Sequence, residues 1–208
     1  MITIHNFARG ARGLRVMWQC EEMGLPYRVE RVGYPPADSY RRLHPLGTVP
    51  FLEDDGGVAM NESVAMMLYL AQRYGPTPLL PESDGAQLAR LLQLTEFGEG
   101  TLGAGMNPLI MARFAAPAGE QRGWLVLALE GRVAGAVDFI STLLAERSFL
   151  VGERLTLADI SVSPALGLWQ AALGQQLPGN LCAYLERVNS RPAQQRARLR
   201  CDGTPPSP

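Results

Sequence analysis

The sequence predicts an α/β unit followed by an all-helical one, and three observations carry that division. Over residues 1–76, apolar residues recur alternately at period two and at helical spacing. Pro76-Thr-Pro-Leu-Leu-Pro81 then breaks both patterns, and beyond it only helical spacing persists, to about residue 200. The expected organisation is a first domain at 1–76, a linker at 77–85, a helical domain at 86–200 and a disordered tail at 201–208.

Each element has a local reason. Met1-Ile-Thr-Ile-His-Asn-Phe7 sets Ile2 and Ile4 on one face, as a strand does. The Gly-rich turn Ala8-Arg-Gly-Ala-Arg-Gly13 opens a helix from Leu14 to Met23, in which Leu14, Met17, Trp18 and Glu21 share helical spacing and Gly24 is the stop. Pro26 to Val32 is a second alternating strand, and Gly33 to Gly47 is an irregular connector with a short helix near Ser39 to Leu43. Val49 to Glu53 and Val58 to Met60 flank Asp54-Asp-Gly-Gly57, a hairpin turn because glycine accepts the positive φ such turns need. Asn61-Glu-Ser63 leads into a helix whose Val64, Met67, Leu68 and Ala71 align, ending before Gly75-Pro76. Further helices are expected from about Ala86 to Phe114 with an interruption near Gly98 to Gly105, from about Glu120 to Arg147, from Leu157 to about Leu173, from Pro178 to Asn189, and briefly after Pro192.

Composition narrows the chemistry. All 19 basic side chains of the 208 residues are arginine. Without lysine there is no Schiff-base or pyridoxal-phosphate lysine and no phosphate loop ending in Lys-Ser/Thr. Two histidines (His5, His44) and three cysteines (Cys20, Cys182, Cys201) are too few for His-rich or four-Cys metal sites, so no metal is expected. An odd number of scattered cysteines reads as reduced, packed thiols. The net charge of −1 gives no general attraction to nucleic acid. No apolar run approaches the ~20 residues of a membrane span and no export signal opens the chain, so a cytoplasmic location is expected. The arginines at 187, 191, 196, 198 and 200 read as a solvated helix face.

Three motifs go further. His44-Pro-Leu-Gly-Thr-Val-Pro-Phe-Leu52 places a Val-Pro pair before a strand, Asn61-Glu62-Ser63 brings a carboxylate and a hydroxyl to a helix start, and Gly152-Glu-Arg-Leu-Thr-Leu-Ala-Asp159 is a capping box. In the last, Thr156 and Asp159 cap, Leu155 and Ile160 staple, and Pro164 is expected to kink the helix. With their order along residues 1 to 200, these motifs make the sequence similar to cytosolic glutathione transferases. The resemblance implies a thioredoxin-like N-terminal domain followed by an all-helical C-terminal glutathione-transferase domain, and a homodimer. It also implies a cis Val49-Pro50 bond that turns the Val49 backbone outward to pair with the cysteinyl part of glutathione, with Thr48 beside it. A trans proline at the start of an edge strand is the alternative. A carboxylate and a hydroxyl at a helix N-terminus suit an α-amino acid, and the resemblance assigns Glu62 and Ser63 to the γ-glutamyl group. Ordinary helix caps are the alternative there.

The resembled family activates the glutathione thiol with a Tyr, Ser or Cys in the first loop, and Asn6-Phe-Ala-Arg-Gly-Ala-Arg-Gly13 contains none. The donors left are backbone amides, the Asn6 side chain, and the guanidinium of Arg12 or Arg9. A fixed positive charge at ~4 Å favours a thiolate by about 4 kcal/mol at an effective dielectric near 20. Solvated arginines are the alternative. An apolar electrophile would meet Phe7, Met106, Met111 and Phe114 between the domains, unless these residues are core. The expected activity is attack of bound glutathione thiolate on an apolar electrophile. The alternatives are a catalytically silent binding or interaction module, or a glutathione-dependent isomerase, dehalogenase or ether-cleaving enzyme.

Overall fold

A computed structural model describes residues 1–8, 12–82 and 84–203, which form two compact units. The first is Met1–Thr77 together with the chain from Asn189 onward, and the second is Pro78–Val188.

Strand β1 (Ile2–Phe7) is covered on both faces: Ile2 and Ile4 are buried as the alternation predicts, and Thr3, His5 and Asn6 are buried with them. It pairs in parallel with β2 (Tyr27–Val32), from Ile2 opposite Tyr27 to Phe7 opposite Val32. A parallel pair needs a crossover, which α1 (Gly13–Met23) supplies by burying Val16, Met17, Trp18 and Cys20. Gly24 ends α1 at φ +64°, where Leu25 N–H donates to Cys20 O at 2.9 Å. After α2 (Asp38–Leu43) come β3 (Phe51–Asp54) and β4 (Val58–Met60), antiparallel as predicted, in a sheet ordered β2-β1-β3-β4. Helix α3 (Ser63–Tyr74) is tied to the hairpin by its tyrosines, Tyr69 and Tyr74 donating to Asp54 Oδ2 at 2.9 and 2.6 Å. Gln19 Nε2, buried in α1, donates to Met67 O of α3 at 2.8 Å. The first unit is the expected thioredoxin-like arrangement.

The second unit contains α4 (Gly85–Glu96), a π-helical segment (Phe97–Gly103), α5 (Ala104–Phe114), α6 (Trp124–Leu143), α7 (Leu157–Leu173) and α8 (Gly179–Asn189). The predicted interruption near Gly98 is that π-helical segment. A Cβ on Gly98 would stand 2.4 Å from Ser161 Oγ, so only glycine permits this approach to α7. Asp159 accepts from Thr156 N (2.8 Å), Thr156 Oγ1 (3.0 Å), Leu150 N (3.0 Å) and Tyr184 Oη (3.0 Å), all buried, which extends the predicted capping box into an anchor for α8. Leu155 and Ile160 are buried beside it, and α7 runs unbroken through Pro164.

The last helix departs from expectation. Helix α9 (Pro192–Asp202) is longer than predicted and packs on α1, within the compact unit that also holds Met1–Thr77. Its arginines are not a uniformly solvated face. Arg191 donates to both carboxylate oxygens of Glu22 (2.6 and 2.7 Å), and Arg196 and Arg200 reach Glu21 at 2.7 and 3.2 Å. Burial pushes the Glu22 carboxyl up, but Arg191 and Trp18 donate to it and hold it below the usual carboxylate range. Arg31 of β2 donates to the Arg200 and Cys201 carbonyls, so Cys201 is a buried helical residue and not part of a tail. Residues 204–208 of the predicted tail lie outside the described residues. No helix among the described residues is long and apolar enough to cross a membrane.

Candidate functional site

Three chain segments of the first unit carry the predicted binding residues. The first follows α2, where Tyr40 Oη donates to Thr48 O at 2.6 Å and His44 Nε2 shares a 3.0 Å hydrogen bond with Thr48 Oγ1. His44 stacks on Phe51 with ring centres 4.7 Å apart, and its burial pulls the imidazole below its usual pKa, which favours the neutral ring. Thr48 is therefore fixed through both its carbonyl and its hydroxyl. The Val49-Pro50 bond that follows is cis, as the resemblance implies. Val49 is half-buried against Val32, Tyr40 and Phe51, and the pairing of β3 with β1 stops at Phe51, leaving Val49 outside the ladder.

The second segment is the start of α3. Glu62 has φ +70° and ψ 104°, the one positive φ at a non-glycine residue among those described, and such a conformation costs on the order of 1–3 kcal/mol. Its carboxylate is exposed and accepts from Asn61 Nδ2 at 3.2 Å. Ser63, the first helical residue, is buried, and its Oγ accepts from Arg15 Nη1 at 3.3 Å. Arg15 belongs to α1 and is itself only 4% exposed. Sequence reasoning missed it, because an arginine among Leu14, Val16 and Met17 carries no mark of the partner it meets 48 positions later.

The third segment is the end of β1 and the start of α1. Arg12 is half-buried immediately before α1, its carbonyl accepting from Arg15 N–H at 3.1 Å, whereas Arg9 lies outside the described residues. Asn6 does not serve as the free donor that its position suggests. It is fully buried, and its Nδ2 donates to Phe7 O (3.0 Å) and Cys201 Sγ (3.5 Å). Its Oδ1 lies against Gly13, where a Cβ would come within 2.4 Å, which explains glycine there. Phe7 is half-buried, with Tyr34 edge-on at 5.6 Å.

The remaining predicted residues belong to the second unit. Met106 is fully buried in α5, and Met111 and Phe114 of the same helix are exposed. Burial pushes the Cys20 thiol up to about 12 and the Cys201 thiol upward, which makes both inert packing groups.

The start of α3 carries a carboxylate and a hydroxyl on successive residues, with a buried guanidinium behind the hydroxyl, a set complementary to both charges of an α-amino acid. Residues 12–73 match the family model of the glutathione S-transferase N-terminal domain and residues 103–192 that of the C-terminal domain. The chain belongs to the glutathione S-transferase family. It is 28% identical to Glutathione S-transferase 3 of Schizosaccharomyces pombe over 93% of this chain and 85% of the relative. It is 30% identical to Glutathione S-transferase-like protein LUC7 of a Fusarium species over 73% of this chain and 70% of the relative. A theta class glutathione S-transferase from Xanthomonas axonopodis pv. citri, solved with glutathione bound, superposes with a TM-score of 0.80 at 26% identity, covering 95% of this chain and 97% of that one.

Proposed function

We propose that this protein binds glutathione in its first unit and directs the thiolate at apolar electrophiles. The observation that carries the reading is the cluster of Glu62, Ser63 and Arg15, a place for a free α-amino acid in a chain of this family. Glu62 takes the γ-glutamyl ammonium, and Ser63 with the first amides of α3 takes the carboxylate. The Val49 backbone, ahead of Pro50 and beside Thr48, pairs with the cysteinyl residue. The groups proposed to hold the thiolate are the guanidinium of Arg12 and that of Arg9, whose positive charge favours the ionised thiol.

The residues proposed to meet the electrophile are Phe7, Met111 and Phe114; the burial of Met106 supports packing instead. The proposed assembly is a homodimer in the cytoplasm. The first loop, without Tyr, Ser or Cys from Phe7 to Gly13, favours a second reading: a member of the fold that binds glutathione and does not turn over.

Retention on immobilised glutathione followed by conjugation of a chloronitroarene separates the two. Binding with turnover supports the enzyme, binding without turnover the silent module, and no binding overturns both. In an active enzyme, Arg12→Ala should lower kcat on the order of 100-fold with KM for glutathione nearly unchanged; an unaltered kcat removes Arg12 from the chemistry.

A further inference from the structure

Among the described residues, Arg15 is the arginine with almost no exposed surface, and one of its hydrogen bonds ends on a residue of the candidate site, Ser63. A guanidinium only donates. The Ser63 oxygen must therefore accept from Arg15, and with a lone pair so occupied, its own O–H proton is left to point elsewhere. Helix α3 begins at Ser63, so that proton, the positive helix end and the Arg15 charge act together. On the neighbouring residue, Glu62 holds an exposed carboxylate on a backbone turned to positive φ. Negative charge on one residue and a polarised donor on the next match the two charges of an amino-acid zwitterion in one orientation only.

We propose that Arg15 is a specificity-determining residue of this site: it fixes Ser63 as a donor and makes binding depend on the free α-carboxylate of the γ-glutamyl group. The inference rests on the reading that glutathione places its γ-glutamyl end here. Arg15 acts through Ser63, as a positioning residue. A ligand whose carboxylate is neutralised to a carboxamide loses the charge that Arg15 favours and keeps its shape, so the two ligands report on Arg15 directly.

The test is calorimetric binding of glutathione, of its γ-glutamyl α-carboxamide analogue, and of an analogue lacking the γ-glutamyl amine, to the full chain and to Arg15→Gln and Arg15→Lys. The wild-type chain should prefer glutathione over the carboxamide by about 10-fold or more, the range of a hydrogen bond to a charged group. Arg15→Gln should reduce that preference to within about threefold by weakening glutathione alone, while Arg15→Lys, which keeps the charge, retains most of it. Discrimination against the deaminated analogue, which reads Glu62, should stay unchanged in both variants. Equal weakening of all three ligands in Arg15→Gln shows a structural role and overturns the inference, as does unchanged preference. If Arg15→Gln does not fold, Ser63→Ala takes its place, and an undiminished preference for glutathione over the carboxamide in that variant overturns the inference. Failure of the wild-type chain to bind glutathione overturns the functional reading and this inference with it, whereas binding without carboxylate preference overturns only the role of Arg15.

Discussion

Two aspartates anchor the two units, and they respond to burial in opposite ways. Asp159 in the second unit is fully buried and accepts from Leu150, Thr156 and Tyr184. Asp54 in the first accepts from Tyr69, Tyr74 and the Asp55 amide and keeps a little solvent contact. For Asp159, burial dominates and pushes the carboxyl up against the pull of its donors. For Asp54, burial also pushes up, but the donors, led by Tyr74, win and hold the carboxyl below its usual value. In Asp54 the hydrogen bonds outweigh desolvation, whereas in the more deeply buried Asp159 they do not.

Substitution sharpens that contrast. Asp159→Ala strands two backbone amides and a buried tyrosine hydroxyl, so it should cost about 3–5 kcal/mol, read from the denaturant midpoint. A loss under 1 kcal/mol would break the comparison. Asp54→Asn should cost about 1–2 kcal/mol at neutral pH. The sign of its pH dependence follows from the lowered carboxyl. The stabilisation from Asp54 is present above the unfolded value near 4 and is lost as pH falls through the lower folded value, so the gap to the variant should close below about pH 4. Asp159, with its raised carboxyl, contributes in the opposite sense: its contribution diminishes as pH rises from about 4. Parallel pH profiles for the Asn variants at the two positions would contradict the opposed shifts. Glu22 extends the series towards the surface, since its partner Arg191 is more than a third exposed. Arg191→Ala should cost about 1 kcal/mol or less, and the loss should shrink in high salt. Thermal melts at two ionic strengths check it.

Much of this was legible in the residues themselves. Ile2 and Ile4, the Asp54-Asp-Gly-Gly57 turn, Gly24 and the Thr156 to Asp159 box specify local geometry through nearest neighbours, and each appears where its chemistry requires. The features that escaped depend on pairs distant in sequence. Glu22 meets Arg191 across 169 positions and Arg15 meets Ser63 across 48, and a charged residue looks the same in sequence whether water or a buried partner satisfies it. The fate of Asn6 was hidden likewise, because its partner Cys201 lies 195 positions away.

The return of α9 to α1 makes the first unit discontinuous along the chain. A ribosome delivers Met1 to Thr77 long before it delivers Arg191, and until then Glu21 and Glu22 face water instead of their arginines. The unit that emerges first is thus among the last to be completed, and the whole helical segment in between must be made before its own α1 is covered.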